Sequence, residues 1–276
     1  MSTAGFRLGL GTYDNTVREE CIESVRLALE TGYRHLDTAQ MYGTEAFVGE
    51  GLARSSVPRE EVTVATKVHP ENLRYEDVLR SAEESRERLG VETIDLLYVH
   101  WPIGPHYAHG ETLPAFDELR DRGVVEHVGL SNYTPAMLAA ARDVLDAPVF
   151  AHQVEMHPLL QQADLLADAL EHGYWLVAYS PLAQGAVFEV PELRAIAEDH
   201  GVSVARVSIA WLLSKPGVAP VPKARGEHVR DNYRALDLAL DEEDVATIEA
   251  IDRERRVLNE EDSLMLQEFG GAPWKR

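Results

Sequence analysis

Lysine is nearly missing from this chain: only 4 of its 26 basic residues are lysines, set against 47 aspartates and glutamates. The formal net charge of -21 leaves no surplus of cations for a polyanion, so neither nucleic acid nor an anionic membrane is an expected partner. The acidic excess reads as a solvated surface of the kind high-salt cells use, with attraction of a cationic partner as the competing reading. Cysteine is rarer still. Cys21, the single one, has no internal disulfide partner and falls within a helical pattern, which reads as a small half-buried core residue. Long hydrophobic runs are also lacking, for none reaches the roughly 20 residues needed to span a bilayer. Residues 1–5 lack the basic and apolar regions of a secretory signal, and a cytoplasmic location is the expectation.

What is present is an alternation of short β-branched or apolar runs with stretches of helical period. Eight runs read as strands: Gly9–Tyr13, Arg34–Thr38, Val62–Lys67, Asp95–His100, Val125–Ser131, Phe150–Glu155, Trp175–Ser180 and Val218–Pro222. Helices are expected between them. Val17–Thr31, Tyr75–Leu89, Leu113–Arg122 and Asp164–His172 each stop at a glycine, and Pro135 opens another as a first-turn proline. Pro191–His200, Ser203–Ser214, His228–Leu236 and Asp241–Arg253 complete the series. Periodicity alone admits an open sheet as well as a closed barrel. The glycines favour the barrel, because Gly9-Leu-Gly11 does not complete the Gly-x-Gly-x-x-Gly turn of an open nucleotide-binding sheet. The expectation is one α/β domain over residues 1–276, a (β/α)8 TIM barrel, and 276 residues suits that fold.

Polar residues then mark a site. Asp37, Lys67 and His100 fall at the C-terminal ends of three different strands, and Tyr42 follows Asp37 by five residues. Barrel active sites lie at that face. A lysine closing an apolar strand is costly unless paired, and Asp37 is its available counterion. A structural ion pair at the rim would explain those two alone; Tyr42 and His100 at the same mouth add chemistry. A phenol with an ordinary pKa of about 10 is a poor acid at neutral pH and needs a nearby cation to favour its ionised form. Lys67 supplies the cation, and His100 would orient a substrate oxygen. The set lacks an electron-pair donor, which a hydride cofactor would provide.

These residues sit in three segments, Gly32-Tyr-Arg-His-Leu-Asp37-Thr-Ala-Gln-Met-Tyr42-Gly43, Lys67, and Leu97-Tyr-Val-His100-Trp-Pro102, that resemble the signature regions of the aldo-keto reductases. The resemblance continues through Val128–Tyr133, Gln153–Pro158, Ala178–Leu182 and Val221–Lys223, covering nearly the whole chain. In length and loop economy the chain is similar to the compact prokaryotic members, such as the 2,5-diketo-D-gluconate reductases. The resemblance implies reduction of a small-molecule carbonyl with NADPH or NADH. It implies that Ser131, Asn132 and Gln153 bind the nicotinamide carboxamide, that Tyr179 stacks under its ring, and that Thr12 and Asp37 lie near its ribose. Ser180, Leu182 and Gln184 belong to a loop that would cross the pyrophosphate, with Gly185 as hinge.

The segment that should meet the adenosine phosphate, with Lys223, Ala224, Arg225, His228 and Asn232, departs from the family pattern. Ala224 replaces a common serine, His228 an arginine, and the stretch to Asn232 is one residue short. Imidazole does not reproduce a bidentate guanidinium contact. Lys223 and Arg225 could still neutralise a 2'-phosphate, so NADPH is favoured and NADH stays open. Thr44 and His152 each stand where an asparagine is common. Tyr13 and Trp101 are expected beside the tetrad in an apolar substrate pocket, with His69 and Trp274 as weaker aromatic candidates. His106 and His109 lack the further ligands of a metal site, and no metal is expected. A metal-dependent barrel hydrolase would carry a His-x-His pair on the first strand, which here is Gly9–Tyr13. The alternative from another class is a cofactor-binding regulatory or redox-sensor subunit on the same fold. No interface stripe stands out, so a monomer or weak homo-oligomer is expected.

Overall fold

The structure, a computed structural model, describes residues 3–258 together with 267 and 273. Eight parallel strands run in chain order: β1 Leu10–Gly11, β2 His35–Asp37, β3 Thr63–Val68, β4 Ile94–Val99, β5 Val125–Ser131, β6 Val149–Glu155, β7 Trp175–Tyr179 and β8 Val218–Pro220. The sheet closes on itself, because the amides of Gly9 and Gly11 donate to the carbonyls of Pro220 and Pro222, both at 3.0 Å. The expected (β/α)8 fold is therefore the observed one. The first and last strands are shorter than their apolar runs. Pro220 and Pro222 have no N–H to give, but both turn toward β1, where their carbonyls accept, and Val221 between them donates to the Ala178 carbonyl of β7 at 3.0 Å.

Two apolar layers hold the barrel. Its interior is filled by a small cluster including Leu96, Tyr98, Val177 and Val221. Phe6 plugs the N-terminal end, its ring stacked on His35 at 4.2 Å and edge-on to Phe150 and Trp175 at 5.3 Å. The larger cluster lies between the strands and the outer helices. Cys21 belongs to it, fully buried instead of half-buried, and burial pushes its thiol up to about 11. Such a thiol is inert packing.

Most outer helices follow their sequence signals. Tyr75–Leu89 keeps its expected bounds and stops at Gly90 in the left-handed conformation. Thr134 and Ser203 cap Pro135–Arg142 and Val204–Ser214 by accepting from the amides of Met137 and Arg206. The last expected helix is cut to Glu242–Glu249, opened by a reciprocal Asp241/Asp244 cap. Besides a single turn at Thr3–Phe6, one longer helix was not foreseen, Glu45–Ala53, whose Gly49 and Gly51 weaken its propensity. Its packing explains the glycines: a Cβ on Gly49 would sit 2.2 Å from the Leu89 carbonyl, and one on Gly51 2.7 Å from Val25 Cβ. Among the described residues no helix is long and apolar enough to cross a membrane.

Candidate active site

The strand ends bring the four chemistry-bearing residues together. Asp37 ends β2, Lys67 is the penultimate residue of β3, and His100 directly follows β4. Tyr42 ends a short 3-10 turn, Gln40–Tyr42, which Gly43 leaves at φ 67°. Lys67 is fully buried, and its Nζ donates to Asp37 Oδ1 at 2.6 Å, the Thr38 carbonyl at 2.7 Å and Tyr42 Oη at 3.4 Å. An ammonium has three protons, and here each has an acceptor. Asp37 Oδ2 accepts from Gln153 Nε2 at 2.7 Å, so both its oxygens are engaged. Beneath them Thr12, Thr44 and Thr38 share hydroxyl contacts of 3.2 and 2.9 Å, and Thr12 Oγ1 donates to the Asp37 carbonyl. Thr44 is thus a buried link of this scaffold.

The electrostatics sharpen the sequence reading of the acid. Burial first, and then the charge of Asp37, holds the Tyr42 phenol well above its ordinary 10. The resting tyrosine is protonated, and the cation at 3.4 Å does not offset the desolvation of a phenolate. Burial also lowers the Lys67 ammonium from 10.5, opposed by Asp37. His100 is held well below 6.5 by burial and then by the charge of Lys67, so it is a neutral ring with one N–H to give. Its ring stands edge-on to Tyr42 at 5.6 Å, and its Nδ1 is buried without a partner among the described residues.

Asp37, Tyr42 and His100 face a cavity of 680 Å³, a size that suits a small-molecule ligand, with Lys67 buried behind them. Ser131, Asn132, Gln153 and Tyr179 all line it. Asn132, at φ 63°, donates from Nδ2 to the His100 carbonyl at 3.0 Å and accepts the Tyr179 hydroxyl on Oδ1 at 3.0 Å. Ser180, Leu182 and Gln184 follow along the rim. Ser180, Ala183 and Gln184 are all left-handed, at φ 48–49°, and Gly185 follows at φ 98°. Three such non-glycine residues within five positions store strain in this loop.

Beyond the loop the expected site thins out. Lys223 lines the cavity, but Ala224, Arg225, His228 and Asn232 do not. The Ala224 methyl packs into the outer core, Gly226 at φ 52° turns the chain into helix Glu227–Tyr233, and there His228 is exposed while Asn232 is buried. Both remaining cations are already engaged. Lys223 Nζ meets Asp14 Oδ2 at 2.9 Å, and Arg225 Nη1 meets Glu20 Oε2 at 2.5 Å. The hydrogen bond and charge of Lys223 hold the Asp14 carboxyl below its ordinary 3.8.

Of the aromatic candidates, Trp101 is buried in the cavity wall and Tyr13 stands at its mouth, edge-on to Tyr42 at 5.2 Å. His69 does not line the cavity, its Nδ1 instead accepting the Glu71 amide at 3.2 Å, and Trp274 lies outside the described residues. His152 is a core residue that accepts the Tyr133 amide. His106 accepts from Arg74 and His109 meets the Met137 carbonyl; among the described residues no cluster has the ligands for a metal. Sequence reasoning missed Asp14, Met41, Phe188 and Leu258, which also line the cavity. For Phe188 a signal existed, since it is a lone aromatic just beyond the strained loop. Leu258 carries none, its place depending on how the chain returns over the barrel.

The chain matches the Aldo/keto reductase family over residues 7–253. It is 36% identical over 258 residues to a glyoxal reductase of Bacillus subtilis, covering 93% of this chain and 92% of the relative. A crystal structure of a candidate 2,5-diketo-D-gluconic acid reductase B superposes with a TM-score of 0.87 at 35% identity, covering 92% and 90% of the two chains. The aldo-keto reductase of Bombyx mori in complex with NADP superposes with a TM-score of 0.86 at 28% identity, covering 97% and 94%. With the match spanning nearly the whole barrel, the chain belongs to the aldo/keto reductase family, oxidoreductases that act on carbonyl groups.

Proposed function

We propose that this chain reduces small aldehydes and ketones to alcohols, with Asp37, Tyr42, Lys67 and His100 as its catalytic set and NADPH favoured over NADH. The observation that carries the reading is the Lys67 ammonium shared among Asp37, the Thr38 carbonyl and Tyr42 Oη. A nicotinamide cofactor, when bound, supplies the hydride. The amide side chains of Asn132 and Gln153, the Ser131 hydroxyl and the flat ring of Tyr179 on one cavity wall suit a nicotinamide carboxamide and ring, with Asp37 near the ribose and Thr12, buried outside the cavity lining, holding the Asp37 carbonyl behind it. Ser180, Leu182 and Gln184 would run beside the pyrophosphate.

Tyr42 Oη gives its proton to a carbonyl oxygen as negative charge grows there. Lys67 stabilises the phenolate that forms, and Asp37 keeps the ammonium from turning away. His100, neutral, donates its ring N–H to the same oxygen and sets the carbonyl's approach, with Trp101 and Tyr13 against the substituents. The high resting pKa of Tyr42 keeps its proton in place until the oxygen becomes basic enough to take it.

Lys223 and Arg225 favour NADPH because two cations can neutralise a 2'-phosphate. Ala224 and His228 offer it little, and Asn232 is buried. The glyoxal reductase among the relatives extends the substrate range to small 1,2-dicarbonyls. The protein acts in the cytoplasm as one domain, a monomer or weak homo-oligomer, behind an acidic surface suited to salt. The test is the ratio of kcat/KM with NADPH and with NADH over a panel of aldehydes and 1,2-dicarbonyls at high salt. A preference for NADH overturns the cofactor assignment, and cofactor binding without reduction of any carbonyl favours the regulatory alternative.

A further inference from the structure

Glu155 ends β6, two residues beyond Gln153, and its carboxylate is fully buried yet takes no part in the chemistry above. Three donors converge on it. Oε1 meets the Val257 amide at 2.7 Å and His157 Nε2 at 3.0 Å, and Oε2 accepts the Leu258 amide at 3.0 Å. The two amides can only donate to this carboxyl group, and donation from His157 Nε2 completes the set, the tautomer that this geometry favours. His157 is itself fully buried, and its Nδ1 has no partner among the described residues. A buried carboxylate held this way costs free energy unless its bonds are all made, so each amide it takes is fixed firmly.

The same stretch grips the returning chain at two further points. Gln161 Nε2 donates to the Ile248 carbonyl at 3.1 Å, and the Leu159 carbonyl accepts the Arg255 amide at 2.8 Å. The chain is therefore led across the barrel end and delivered at residue 258, where Leu258 lines the same cavity as Tyr42 and His100. From β6, one strand supplies Gln153 to Asp37 at the reacting end and Glu155 to the segment that carries Leu258.

We propose that Glu155, oriented by His157, is a positioning residue for substrate selectivity: it pins the amides of Val257 and Leu258 and so sets how far Leu258 closes the cavity. This rests on the carbonyl-reductase reading. Bulky carbonyl substituents need that wall in a fixed place, and the smallest substrates do not reach it.

The experiment compares Glu155→Ala, Glu155→Gln, Leu258→Ala and the Glu155→Ala/Leu258→Ala double variant across aldehydes of increasing bulk, with amide hydrogen exchange read on each protein. For Glu155→Ala, KM for the bulkiest aldehyde should rise about tenfold while kcat, and KM for the smallest, stay within about twofold. The amides of Val257 and Leu258 should lose protection while those of β6 keep theirs. Glu155→Gln, whose amide oxygen still accepts, should recover part of the KM. The double variant should match Leu258→Ala alone, because Glu155 acts through that side chain. Additive effects, a kcat loss equal for all substrates, or unchanged exchange at 257 and 258 would each overturn the proposal. A wild type that reduces none of the series overturns the reductase reading instead, and the exchange comparison still decides whether Glu155 pins the segment.

Discussion

The two ends of the cavity are built in opposite ways. At the tetrad end Lys67 and Asp37 are almost fully buried and every polar atom of the pair has its partner. At the far end Lys223 and Arg225 are exposed by 42% and 43% and hold carboxylates that a ligand phosphate would have to displace. Charges buried in a complete network are costly to alter, whereas exposed ion pairs are worth about 1 kcal/mol or less. Under the proposed function, the barrel commits its chemistry rigidly and leaves its grip on the cofactor adjustable.

The comparison breaks first at Tyr42. Tyr42→Phe removes the proton donor and one acceptor of the Lys67 ammonium but leaves its bonds to Asp37 and Thr38, so kcat should fall by about 10³-fold or more while cofactor affinity, read by fluorescence quenching, stays within about twofold. Retained turnover would place the acid elsewhere. Lys67→Met comes next, because it leaves Asp37 buried without its counterion. It should destabilise the fold by roughly 3–5 kcal/mol in a denaturant titration and lower kcat by about a hundredfold. A stable Lys67→Met protein would contradict the tightness ascribed to this end.

The pH profile of kcat/KM is a finer probe. His100 is held well below 6.5, so its neutral form persists as pH falls, and no acid limb should show near 6.5. Lys67 is lowered from 10.5 and sheds its proton earlier than a free lysine, so the alkaline limb should begin below 10.5. Tyr42, raised well above 10, cannot be the source of that limb. An acid limb near 6.5 that vanishes in His100→Asn would reverse the sign assigned to the histidine.

The smallest effect belongs to the exposed end. Asp14→Asn with Glu20→Gln frees Lys223 and Arg225, and NADPH should bind severalfold tighter at low salt, with the gain lost as screening increases. If NADPH and NADH respond alike, these cations do not face the 2'-phosphate.

That contrast also marks what the sequence could tell. The strands and the tetrad were legible because parallel strands read as apolar runs and their ends carry polar residues no core would tolerate unpaired. Glu45–Ala53 was hidden by Gly49 and Gly51, whose purpose is close packing against Leu89 and Val25, a relation between distant segments. The pairing of Lys223 with Asp14 was hidden for the same reason, since 209 residues separate them. Local pattern reports burial and period; it does not report which loops meet.

The scarcity of lysine gives this geometry a practical use. Lys67 is sealed in the core, and Lys215 is 12% exposed with its ammonium 4.4 Å from the centre of the Trp211 ring. Among the described residues that leaves Lys223 as the accessible amine, standing at the cofactor end of the cavity. Acylation mapped at Lys223, apart from Lys275 and the N-terminal amine, should therefore fall when NADPH is added if the proposed function holds, and that protection would report occupancy without any turnover.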